Sequence, residues 1–356
     1  MKRLALLFFV SLLIAQPAWA ARAKISPIAK DPYMSALVID ADTGKVLFSD
    51  NPETIVYPAS VLKMMSLLVI LELIDQGKVK LDDMVQVTAE AAKIGGSQVY
   101  LDPKEQFPVE ELLYALAVQS ANDTAVALAI HVAGSKEGFV ALMNQKAAAL
   151  GMKDTQFHSV HGLPPSEGQK VDQTTATDLA LLCRALIARP DSLKYTGTKE
   201  RPFRDGKFIM RNHNHLLGSV DGCDGFKTGY FEAGGFSIAA TAKRGGVRII
   251  AIVMGSKDRK IRDAKAREML ALGFAAVPPK PEEVLIASAP QAAAPAPAAA
   301  SPAPEPPAVQ PPAEEPKTAS PSIFGNWKVF LMGGVAGFML FGLMSLFLSR
   351  KSSRKR

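Results

Sequence analysis

Three short groups of residues in this 356-residue chain could do chemistry together. Ser60-Val61-Leu62-Lys63 places a hydroxyl and an amine three positions apart. On a helix, positions i and i+3 share a face, so the two side chains stand one turn apart. A neutral lysine that near can take the serine proton. Burial and a second cation, Lys227, would push its pKa down far enough. A helix N-terminus also offers backbone N–H groups to a developing oxyanion. Ser120-Ala121-Asn122 adds a hydroxyl able to relay a proton to a leaving amine, and an amide able to hold a substrate backbone. Lys227-Thr228-Gly229 adds a cation suited to a substrate carboxylate, and a glycine that lets a substrate backbone approach. Together these are the parts of nucleophilic acyl transfer.

Each group alone carries little information. Ser352-Ser353-Arg354-Lys355 repeats the first pattern, and Ser49-Asp50-Asn51 resembles the second. Order, spacing and position at element boundaries select Ser60, Ser120 and Lys227.

A scaffold must bring these distant positions together. Residues 34–40 and 45–49 read as strands around an Asp-Thr-Gly turn. Residues 60–76 read as a helix, with Pro58 before it and Gly77 at its end. Helical patterns recur at 109–117, 121–132, 136–150 and 174–188. Lys227-Thr228-Gly229 is placed just before a strand. Residues 236–242 and 247–254 read as a hairpin through Lys243-Arg244-Gly245-Gly246, and 262–272 as a closing helix. Strands at both ends with helices between predict an α+β domain over residues 30–276. Its antiparallel sheet is flanked by helices and carries a helical subdomain.

The flanks read as addressing segments. Lys2 and Arg3, an apolar run over 4–14, and Ala18-Trp19-Ala20 make residues 1–20 a signal peptide. Residues 278–322 hold 14 of the 25 prolines and read as a Pro/Ala-rich linker. Residues 329–348 carry no charge and suffice for a single membrane span. The basic tail 349–356 then lies in the cytoplasm, and the domain outside the cytoplasmic (inner) membrane.

The net charge of +7 is carried by the two ends, leaving the body near neutral and giving no reason to expect a nucleic-acid partner. Cys183 and Cys223 read as buried thiols rather than a pair. His213-Asn214-His215 lacks the spacing of a zinc site, and Asn212 and Asn214 read as supports for the loop before Lys227. His161 reads as structural.

Longer stretches carry a resemblance. Tyr57-Pro58-Ala59-Ser60, Ser120-Ala121-Asn122-Asp123, Gly151-Met152-Lys153-Asp154-Thr155 and His161-Gly162-Leu163 are among them. So are Thr174-Thr175-Ala176-Thr177-Asp178-Leu179-Ala180 and Asp224-Gly225-Phe226-Lys227-Thr228-Gly229. They resemble the D-alanyl-D-alanine carboxypeptidases, the low-molecular-mass penicillin-binding proteins, over residues 30–275. The resemblance implies the penicillin-binding protein/β-lactamase-like transpeptidase fold. It implies Ser60 as nucleophile, Lys63 as general base and Ser120 as proton relay. It also implies substrate contacts at Asn122, Lys227, Thr228, Gly229, Tyr230 and Arg262. The N–H groups of Ser60 and Tyr230 would form the oxyanion hole, and Arg262 would help hold the terminal carboxylate. No cofactor or metal is implied. The substrates would be peptidoglycan stem peptides ending in D-Ala-D-Ala, with β-lactams as covalent inhibitors. Many relatives carry a β-rich second domain, where this sequence has the proline-rich linker. Three alternatives stand beside the carboxypeptidase reading. One is a DD-endopeptidase, another a β-lactamase, for which the surroundings of Glu167 are unsuited. The third is a non-catalytic tethered wall-binding protein.

Overall fold

The computed structural model describes residues 23, 25–189 and 191–279, all within one compact unit, Met1–Leu285. The segments expected to be the signal peptide, most of the linker, the membrane span and the basic tail lie outside the described residues. Among the described residues no single helix is long and apolar enough to cross a membrane.

The chain opens with β1 (Ser35–Asp40) and β2 (Val46–Asp50). A 3-10 turn, Ala59–Leu62, leads into α1 (Lys63–Asp75). The helical region follows with β3 (Met84–Gln86), α2 (Ala89–Lys93), β4 (Gln106–Pro108) and α3 (Val109–Tyr114). A π-helical turn, Ala115–Gln119, joins α3 to α4 (Asn122–Ala133), and α5 (Lys136–Leu150), α6 (Ala176–Ile187) and α7 (Asp191–Thr196) complete the region. A small hairpin, β5 (Glu200–Phe203) and β6 (Phe208–Arg211), precedes β7 (Cys223–Phe231), β8 (Gly235–Arg244) and β9 (Val247–Ser256). The terminal helix α8 (Arg259–Ala276) ends the domain.

The main sheet is antiparallel, in the order β2-β1-β9-β8-β7, so strands from both ends of the domain meet at its centre. Both faces are covered, which explains the unbroken apolar runs of β1 and β9. Leu37, Ile39, Ile250 and Ile252 join the core under α1 and α6. Their alternating neighbours Val38, Ile249, Ala251 and Val253 pack with Ala266, Met269 and Leu270 of α8. A Cβ on Gly273 would lie 2.5 Å from Ile249, so glycine there sets the close approach of α8. The β8–β9 hairpin closes through Gly245 and Gly246, both at positive φ, as a two-residue turn of this twist needs.

Helix α1 is buried from Lys63 to Leu71 with no polar face, as befits a helix enclosed by other helices. Helices α5 and α6 begin at Ser135 and Thr175, whose hydroxyls accept from the N–H groups of Gly138 and Asp178. Asp258 caps α8 in the same manner, accepting from Lys260 and Ile261.

Several expected boundaries move. Lys227-Thr228-Gly229 lies inside β7, not before a strand. The helix expected over 109–117 widens into the π-turn from Ala115, and Asn122 is the first residue of α4. Helix α8 starts at Arg259, one turn before Arg262.

Candidate active site

Among the described residues strand β7 pairs only with β8, and it packs against the turn that carries Ser60. The two backbones run very close. A Cβ on Gly229 would fall 2.6 Å from the Pro58 carbonyl oxygen and 2.9 Å from the Ser60 nitrogen. Only glycine permits this approach. On the opposite side, Gly162 at φ +76 presses against the carbonyl of Ala59, with a Cβ position 2.2 Å from that oxygen. The nucleophile turn is thus wedged between two glycine backbones.

Ser60, Ser120, Thr228, Gly229, Tyr230 and Arg262 line one cavity of about 310 Å³. Residues that are distant in sequence therefore meet as the spacing argument required. Lys63 and Lys227 lie buried, 1% and 3% exposed. Ser120 sits at the end of the π-turn at φ 59, ψ 31. A non-glycine residue held in that region costs about 1–3 kcal/mol and persists where the surroundings enforce it.

Lys63 is the most constrained group. Its Nζ lies 2.9 Å from Ser60 Oγ, 2.8 Å from Asn122 Oδ1 and 2.6 Å from the His161 carbonyl oxygen. The Asn122 amide is oriented by its own Nδ2, which donates to the Gly95 carbonyl at 2.8 Å. Two of the three Lys63 partners, Asn122 Oδ1 and the His161 carbonyl, can only accept. Burial, then the field of Lys227, pushes the Lys63 pKa well below its usual value, while Asp172 and Asp123 oppose this. A neutral amine has two N–H groups and one lone pair. Nζ reaches all three oxygens as a donor, and on losing a proton it could keep the two carbonyl contacts while turning a lone pair to the Ser60 hydroxyl. Asn122 thus engages both ends of its amide within the protein, one of them on Lys63.

Lys227 donates to the Thr228 carbonyl at 3.0 Å. Burial and the nearby Arg262 lower its pKa to about 7. Arg262 is 2% exposed, so it is no surface arginine. Asp263 accepts from its Nε and Nη2, and the Ser237 carbonyl from its Nη1 at 3.3 Å. Arg259 joins it on the cavity wall, where no carboxylate is found among the described residues.

Some contributors escape a reading of residue types. The His161 carbonyl and the Ser97 carbonyl, which accepts from Asn122 N at 2.7 Å, act through the backbone. The sequence reads the His161 ring as structural, and the structure places it against the loop backbone. It accepts from Leu163 N, and burial, then Lys63, lowers its pKa to about 3. His213 and His215 line the cavity. Burial, then Lys227, brings His213 to about 4, so its ring is neutral. Asn214 donates to the Gly225 carbonyl, and Asn212 to those of Thr196 and Thr198, supporting the approach to β7. Cys183 and Cys223 are free thiols.

The sheet, the helical region and a serine turn between them define the penicillin-binding protein fold. Penicillin binding protein 6B from Escherichia coli superposes with a TM-score of 0.63 at 34% identity, covering 71% of this chain and 81% of that one. Penicillin-Binding Protein D2 from Listeria monocytogenes, in its ampicillin-bound form, gives 0.62 at 28% identity, covering 71% and 100%. The sequence matches the family described as D-alanyl-D-alanine carboxypeptidase over residues 27–258, and the chain belongs to that family. D-alanyl-D-alanine carboxypeptidase DacF of Bacillus subtilis is 41% identical over 243 residues, 67% of this chain and 61% of its own length. DacC of Escherichia coli is 38% identical over 245 residues, 67% and 60% respectively. The chain thus spans about three fifths of the length of these relatives.

Proposed function

We propose that the protein is a serine-type D-Ala-D-Ala carboxypeptidase that removes the terminal D-Ala from peptidoglycan pentapeptides through an acyl-enzyme on Ser60. One observation carries the reading: Lys63 Nζ is held 2.9 Å from Ser60 Oγ by Asn122 Oδ1 and the His161 carbonyl oxygen.

In the reaction, Ser60 Oγ attacks the carbonyl of the penultimate D-Ala while its proton passes to Lys63 Nζ. The N–H groups of Ser60 and Tyr230 receive the oxyanion. The C–N bond breaks as Ser120 relays the proton to the departing D-Ala amine. Water then attacks the ester, Lys63 takes its proton, and Ser60 is released protonated. Lys227, Thr228 and Arg262 hold the terminal carboxylate. A β-lactam follows the same first step, and its ring opening leaves Ser60 acylated. The ampicillin-bound state of the Listeria relative supports this.

The basic start, the uncharged run 329–348 and the basic tail support a second part of the proposal. The domain is exported and held at the inner membrane, with the proline-rich stretch as spacer. A fluorescent penicillin is expected to label the chain covalently in the membrane fraction. Ser60→Ala will abolish labelling, and truncation before residue 323 will move the label to the soluble fraction. Labelling that survives Ser60→Ala would refute the nucleophile. Cleavage of cross-linked dimers without release of D-Ala from pentapeptides would make the protein an endopeptidase instead.

A further inference from the structure

Asp172 is a buried carboxylate, 5% exposed, that no step above employs. It accepts from the N–H groups of His158 at 2.6 Å and Ser159 at 2.9 Å, and from the Ser159 hydroxyl at 2.7 Å. With three donors aimed at it, the ionised form fits; a protonated carboxyl would turn its own O–H toward one of them. Burial raises its pKa, and these donors counter the rise.

The contacts continue toward Ser60. Ser159 Oγ accepts from Gly162 N at 2.9 Å, and Gly162 presses on the backbone between Ala59 and Ser60. Between Ser159 and Gly162 lies His161, whose carbonyl receives Lys63 Nζ at 2.6 Å. A carboxylate outside the cleft therefore anchors the loop that places both the base and the nucleophile turn.

Resting on the acyl-transfer reading above, we propose that Asp172 is a positioning residue for Lys63. It fixes loop 158–162 so that the His161 carbonyl occupies one N–H of the amine, and its negative charge opposes loss of the Lys63 proton. The other charges acting on Lys63 are Lys227, which favours loss of that proton, and Asp123, which resists it. His161 and His213 also feel Lys63 and are neutral around it. The side chain of His158 also acts on Asp172 itself.

The two parts of the role separate in two variants of the full chain, with β-lactam acylation rates followed across pH and thermal melts recorded alongside. Asp172→Asn keeps an acceptor for the backbone donors and removes the charge. Lys63 then loses its proton more readily, and the acid limb is expected to move down by about one pH unit. Ser159→Ala cuts the link to Gly162 and leaves the charge. It is expected to lower the acylation plateau about tenfold with the acid limb in place. An Asp172→Asn enzyme whose acid limb matches wild type overturns the electrostatic role. If that variant does not fold, Ser159→Ala decides alone, and a wild-type plateau there overturns the positioning role. A wild-type chain that is not acylated at any pH would instead sink the acyl-transfer reading.

Discussion

Two lysines meet at the cleft, one at the start of α1 and one in β7, and their surroundings differ. Both are nearly sealed from solvent, and burial is the first cause lowering the pKa of each. Lys63 is gripped by groups from three separate parts of the chain, and two carboxylates, Asp172 and Asp123, act on it. Lys227 has one hydrogen-bond partner among the described residues, the carbonyl of its neighbour Thr228, and its next influence is a cation, Arg262. Burial makes both amines easy to deprotonate and so cannot distinguish them. Hydrogen bonding does. Three contacts hold Lys63 Nζ beside Ser60 Oγ, the place of the base in the proposed mechanism. Lys227, with one hydrogen-bond partner among the described residues and an arginine beside it, is the anion receptor of that proposed mechanism.

The sharpest way to break this contrast is to remove the base. Lys63→Ala is expected to lower the rate of Ser60 acylation by about a thousandfold, within the range of general-base catalysis. Noncovalent binding of the substrate should change far less, because Lys63 is buried behind Ser60. Stopped-flow acylation with a chromogenic β-lactam measures the first, and inhibition by a substrate analogue the second. If acylation survives while affinity collapses, the two lysines have been assigned the wrong way round.

Removing the receptor should cost less and change the pH profile in a defined way. Lys227→Gln is expected to lower kcat/KM for a carboxylate-terminated peptide by about tenfold to a hundredfold, the worth of one charge-assisted hydrogen bond. The amide-terminated analogue should lose less. In the wild type, activity falls at low pH as Lys63 gains a proton and can no longer accept one. It falls again at high pH as Lys227, near 7 in the free protein, loses the proton that attracts the anion. A bound carboxylate raises the Lys227 pKa, so the alkaline limb of kcat should lie above that of kcat/KM. Lys227→Gln removes a positive neighbour of Lys63, which raises the Lys63 pKa and moves the acid limb up. That is opposite in sign to the shift expected of Asp172→Asn. An unchanged acid limb in Lys227→Gln would mean that the two amines do not sense each other.

The two sites were not equally legible in the sequence. Ser60 and Lys63 are three residues apart, so their juxtaposition is a local fact of backbone geometry. Lys227 reaches them only through strand order. Gly225 and Gly229 interrupt the apolar pattern that would have marked β7, yet Gly229 is required where the strand crosses the nucleophile turn. β9 was easy to read because both its faces are buried and its residues are β-branched. The hairpin β5–β6 and the short helices α2 and α7 fall below the length at which periodicity speaks. The positive φ of Ser120 could not be anticipated, since serine carries no such signature. The carbonyls of Ser97 and His161 belong to the backbone and have no residue-type signal at all. Asp172 was equally hidden, one carboxylate among many until its three donors came into view.

The smallest expected effect separates backbone from side chain at the β7 edge. Tyr230 is 53% exposed, and its ring stacks on Phe236 at 4.0 Å between centroids with planes 20° apart. In the proposed mechanism its contribution is an N–H group, which any residue but proline supplies. Tyr230→Ala removes a stacked pair worth about 0.5–1.5 kcal/mol and leaves the N–H in place. The expectation is a lowering of the melting temperature by a few degrees and a change in kcat/KM of about threefold or less. The same peptide assay and a thermal melt measure both. A loss comparable with that of Lys227→Gln would mean that the ring itself grips the substrate, and that the β7 edge recognises it through a side chain as well as through backbone and charge.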